Sequence, residues 1–82
     1  MKEATIRLNV KELMKAQIDA DIKSDKELAE LIGVSTTQIW RAKLKPSHPK
    51  YNQPGPKLIA GILNTFKGEK FERFFFVEEV DK

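Results

Sequence analysis

The 82-residue chain contains no cysteine, which excludes disulfides, thiolate catalysis and cysteine-ligated zinc. It has one histidine, His48, lying near two prolines with no second ligand at metal spacing. No serine-type triad accompanies it, because no acid is placed to orient the ring. Glycine and proline number four each, and all four prolines fall within residues 45–56. No apolar run approaches the ~20 residues of a membrane span. The opening MKEATIRLN mixes charged and apolar residues and lacks the apolar core of an export signal. A small exported domain without disulfides would be unusual, so a cytoplasmic location is expected, with no membrane association. No repeat or low-complexity tract is present.

What is present fits one small folded domain spanning 1–82. Hydrophobic residues make up 40% and charged residues 33%, a balance that disordered chains do not show. The net charge is +3, and its placement is informative. Residues 1–30 carry 6 basic and 7 acidic side chains, and residues 69–82 carry 3 and 5. Between them, 31–68 holds Arg41, Lys43, Lys45, Lys50, Lys57 and Lys67 and no acid. Positive charge segregated in this way suggests a polyanion partner, nucleic acid first. A solvated basic surface is the plain alternative.

Residues 5–9 alternate apolar and polar, as a short strand does. Asn9 with Glu12, Ser24 with Glu27 and Ser35 with Gln38 each have the spacing of a helix-starting box. These predict helices over about 10–21, from 25 to Gly33, and over 36–43. Leu13, Met14 and Ile18 are the expected apolar stripe of the first, and Leu28, Leu31 and Ile32 that of the second. KPSHPKYNQPGP, 45–56, reads as a loop. Pro56 opens a fourth helix with Leu58, Ile59, Ile62, Leu63 and Phe66 inward, Gly68 as its cap and Gly61 permitting close packing. A helical turn to about Phe74 and a strand over 75–80 complete the plan. The two terminal strands could pair with each other, though no sequence signal requires it.

Gly33 supplies a left-handed residue between two helices, and Ser35 restarts the chain at once. Ala29, four residues before Gly33, keeps the seam narrow, and Leu28, Val34 and Ile39 can fill it. This is the pattern of a helix-turn-helix. DKELAELIGVSTTQIWRAK resembles the motif of the Xre/Cro-like repressor family through Leu28, Ala29, Gly33, Val34, Ser35, Ile39 and Arg41. The plan of strand, helix, motif, two further helices and closing strand resembles compact members, so the likeness covers nearly the whole chain. Ala42 departs from the larger apolar residue common there, and the proline-rich loop is longer than usual. The resemblance implies a mainly α, four- to five-helix lambda-repressor-like DNA-binding domain with motif 25–43. It also implies a small transcriptional regulator of a phage or mobile element, acting as a homodimer on double-stranded DNA.

At 100° per residue, Ser35, Ile39 and Ala42 point inward from helix 36–43, while Thr37, Arg41 and Leu44 point outward. Thr36 and Trp40 flank the outer face. If this helix enters a major groove, Arg41 can pair bidentately with guanine, and Thr36 and Thr37 can reach base edges. Gln38 is able to read adenine, but its capping role claims the same side chain. Trp40 has three expected uses: packing on the proline loop against Tyr51 or Pro46, backbone contact, or base contact. Lys26, Lys43, Lys45, Ser47, Lys50, Asn52 and Lys57 are expected phosphate partners. Backbone amides near Ser24–Lys26 are a further candidate. Phe71, Phe74, Phe75 and Phe76 serve either core closure or a dimer interface. An excisionase-like architectural factor and a protein-binding antitoxin or anti-repressor module that uses the phenylalanine cluster are the alternative functions. No enzyme activity, cofactor, metal or small-molecule ligand is expected.

Overall fold

Three side chains start three helices, as their spacing predicts. In the computed structural model, which describes residues 2–81, Asn9 Oδ1 accepts from the Glu12 amide at 3.2 Å, opening α1 (Val10–Asp19). Ser24 Oγ accepts from the Glu27 amide at 3.1 Å, opening α2 (Asp25–Ile32). Ser35 and Gln38 form a complete capping box, opening α3 (Thr36–Lys43). Each satisfies an amide that the helix itself leaves without a partner. Pro56 sits at the first position of α4 (Pro56–Thr65), where its missing N–H costs nothing. The short α5 (Phe71–Phe74) leads directly into the last strand.

The termini pair. β1 (Lys2–Leu8) and β2 (Phe75–Asp81) form a two-stranded antiparallel sheet from Lys2 opposite Asp81 to Leu8 opposite Phe75. The strands run longer than the alternation predicts at β1, but Asn9 is excluded because its side chain caps α1. Its amide instead donates to the Phe74 carbonyl at 2.7 Å, stitching the sheet to α5. Helix α1 ends at Asp19, two residues before the expected point. Asp21 adopts a left-handed φ of 58°, which turns the chain toward α2. Helix α4 likewise stops at Thr65 rather than running on toward Gly68.

The core joins all elements: Leu8, Leu13, Ala16, Leu28, Ala29, Ile39, Ala42, Leu58, Ile62, Phe66, Phe74 and Phe75. Two sequence expectations change here. Helix α1 buries Leu13, Ala16 and Gln17, and leaves Met14 and Ile18 exposed. Two stripes a fraction of a turn apart are available on this helix, and packing against α5 selects the one that carries Leu13. Leu31, expected on the inner face of α2, is also exposed, because Leu28 and Ala29 take that face.

The phenylalanine cluster divides. Phe74 and Phe75 are fully buried, Phe71 stacks on Phe75 at 5.1 Å, and Phe74 meets Phe66 at 5.5 Å. These rings close the chain's own core, so Phe74 and Phe75 present nothing to a second chain. From the expected interface, Phe76 is exposed at 45% and Phe71 is half-buried.

Candidate nucleic-acid interface

Helices α2 and α3 are joined by three residues. Gly33 has φ 88° and ψ 32°, a conformation that a Cβ would strain. The Ala29 carbonyl accepts from both the Gly33 and Val34 amides, at 2.8 and 3.0 Å, closing the end of α2. Leu28 and Ile39 are buried in the seam, with Val34 half-buried beside them.

Burial along α3 follows its helical angle in part: Ser35, expected inward, is exposed because it caps the helix, and Arg41 and Leu44, expected outward, are half-buried where the following loop folds back on the helix end. Ile39 and Ala42 are buried, while Thr36, Thr37, Gln38 and Trp40 are exposed. Arg41 is half-buried, with its Nε enclosed and lacking a hydrogen-bond partner, and it makes no ion pair among the described residues. Gln38 Oε1 accepts from the Ser35 amide at 3.0 Å, so its carbonyl is engaged in the cap. Trp40 meets the proline-rich loop edge-on at His48, with ring centroids 6.3 Å apart, and stays 45% exposed. His48 Nδ1 accepts from the Lys50 amide at 3.0 Å, which shapes the loop locally.

The expected phosphate partners separate into two groups. Lys26, Lys45, Ser47, Lys50, Asn52 and Lys57 are exposed. Lys43 is not available in the same way. Its ammonium lies 2.6 Å from Asp25 Oδ1 and 2.7 Å from Gln17 Oε1, and only 15% of its side chain is exposed. It joins the end of α3 to the start of α2 and to α1. The first turn of α2 also differs from expectation. It carries the carboxylates of Asp25 and Glu27, Ser24 already satisfies the Glu27 amide, and Glu27 Oε2 accepts from the Lys23 amide. That concentration of negative charge opposes a phosphate there.

The loop after α3 is held from two sides. The Asn52 amide donates to the Arg41 carbonyl at 3.4 Å. On the other side, Arg7 Nη1 donates to the Tyr51 hydroxyl at 3.2 Å, with the guanidinium 5.4 Å from the ring centroid. Thr5 Oγ1 donates to Gln53 Oε1 nearby. Arg7 also pairs with Glu78 on β2 at 3.5 Å. The hydrogen bond to Tyr51 foremost, helped by Glu78, holds the arginine pKa above its ordinary value. Nothing local in the sequence marks Thr5, Arg7 or Gln53, because their partners lie more than forty positions away.

Comparison with protein-family models, curated proteins and solved structures returns no match. Among the described residues, no group of His, Asp or Glu is placed to hold a metal, and no helix is long and apolar enough to cross a membrane.

Proposed function

We propose that the chain is a lambda-repressor-like helix-turn-helix domain of the Xre/Cro type that binds double-stranded DNA sequence-specifically and regulates transcription. In this reading α3 enters the major groove, and the protein acts in the cytoplasm as a repressor. The observation that carries it is the outer face of α3. Arg41, Thr36, Thr37 and Trp40 lie there on a helix whose inner face is fully committed to the core, with no acid paired to Arg41. Arg41 is the base reader, donating its guanidinium to guanine. Thr36 and Thr37 touch base edges, and Trp40 backs the loop. Lys45, Lys50 and Lys57, with Ser47 and Asn52, contact phosphates and set position without reading sequence.

The assembly we propose is a homodimer reading two half-sites about 34 Å apart. Its surface is the two-stranded sheet, where Phe76 and Val77 of β2 are exposed and neither edge pairs with a third strand among the described residues. Unpaired strand edges are ready templates for a second chain.

The test is selection of binding sites from random duplexes, followed by footprinting. Enrichment of a two-fold symmetric site supports the reading, and recovery of no motif sinks it. A bend in the bound duplex without repression of a reporter identifies an architectural factor instead.

A second reading, a protein-binding module of antitoxin or anti-repressor type, draws on a different surface. Met14 and Ile18 line a cleft with Ile22, which also borders the cleft containing Leu31. Met14 and Ile18 are exposed on the first cleft and Leu31 on the second, with the half-buried Ile22 common to both. Stoichiometric capture of a protein partner, with no DNA binding, favours it.

A further inference from the structure

The segment that carries Lys45, Ser47, Lys50 and Asn52 has neither helix nor strand; local turns, with the His48 amide donating to the Lys45 carbonyl and the Tyr51 amide to the His48 carbonyl, bend it but do not fix it to the rest of the fold. A loop left free would have to be ordered when it met a phosphate backbone, and that ordering would subtract from affinity. The loop is not left free. Tyr51 immediately follows Lys50, and its hydroxyl and ring are both taken by Arg7 of β1. Arg7 cannot swing away easily. Its side chain is only 13% exposed, and Glu78 engages it from β2. The next residue, Asn52, ties the chain back to the Arg41 carbonyl on α3. Gln53 then accepts from Thr5, one residue pair further along β1. The loop cations are therefore suspended between the reading helix and the terminal sheet.

We propose that Tyr51, gripped by Arg7, is a positioning residue for DNA binding, holding Lys50 and its neighbours in register with the phosphates that flank the groove read by α3. This rests on the DNA-binding reading above. Tyr51 touches no phosphate itself. Its hydroxyl is committed to Arg7, and it acts through the lysine beside it.

The test uses the intact protein with two duplexes of equal length, a selected site and an unrelated sequence. Tyr51→Ala changes no charge, so any fall in the salt dependence of binding reports phosphate contacts that the remaining lysines no longer make. Affinity is expected to fall about tenfold, by the same factor on both duplexes, because the released loop must be ordered on binding. The log–log salt slope is expected to shrink by about 1–2. Amide exchange in residues 46–55 should quicken, while base preference is retained. Tyr51→Phe keeps the ring over the guanidinium and should fall between the two. A salt slope for Tyr51→Ala equal to the wild type overturns the proposal, as does unchanged loop exchange. If Tyr51→Ala does not fold, the slope of Tyr51→Phe decides in its place. Wild-type protein that binds neither duplex rejects the DNA reading and the positioning role with it. In that case the exchange data still report separately whether the anchor holds the loop.

Discussion

Gly61 on α4 lies directly against Ile32 at the end of α2. A Cβ at Gly61 would overlap Ile32 Cγ2 and stand 3.1 Å from Ile32 Cβ and 3.2 Å from its carbonyl oxygen. This is where α4 approaches the helix that carries the turn, so the glycine sets how closely the two pack. Gly61→Ala gains about 1 kcal/mol of helix propensity in isolation. The clash outweighs that gain, because the obstacle includes backbone as well as a side-chain branch. The variant is expected to be less stable by about 1–2 kcal/mol, read from urea unfolding.

Arg41→Ala removes the leading base contact. Preference at one base pair per half-site should relax by about 1–3 kcal/mol, with discrimination elsewhere in the site retained. Affinities for a panel of single-base variants of the selected site measure this directly. Equal losses at every position would place Arg41 on the backbone instead.

Lys50→Ala should weaken binding by the same factor on selected and unrelated DNA. The magnitude of the log–log salt slope should fall by about 0.9 for each chain. Titrations at several salt concentrations provide the number.

Lys43 and Asp25 form the ion pair that ties the motif helices together, with Gln17 as third partner. Asp25→Ala leaves a mostly covered ammonium without its carboxylate. A stability loss of about 1 kcal/mol is expected, and a double-mutant cycle with Lys43→Ala should show coupling of similar size. Additive losses would show that the pair contributes nothing.

Glu12 has its carboxyl pKa held below the ordinary value of 4.5, first by Lys15 and then by Arg73. A depressed folded-state pKa contributes stability that is present above the unfolded value and is lost as pH falls through the folded one. Glu12→Gln should therefore reduce stability at neutral pH and flatten its decline below 4.5. Thermal melts across that range check the sign.

Much of the helical plan was legible because its signals are local. Asn9, Ser24 and Ser35 each meet a residue three positions on, and a three-residue reach leaves one geometry to choose. Gly33 was legible for the same reason, since only its own backbone conformation is at stake. Helical angle alone gave the burial of Ile39 and Ala42 and the exposure of Thr37, but not the partial burial of Arg41 and Leu44, which depends on the loop that follows α3.

The chain's sequence thus determined where its helices begin, which residue turns α2 into α3, and where positive charge gathers. Only the tertiary structure decided which stripe of α1 is buried, that Phe74 and Phe75 fill the core, and that Lys43 is held by Asp25. It also decided that Tyr51 is gripped by Arg7, a partner 44 positions away. The physical reason is range. Capping and helix periodicity act within a turn of the chain, whereas burial and ion pairing depend on what the rest of the fold brings alongside.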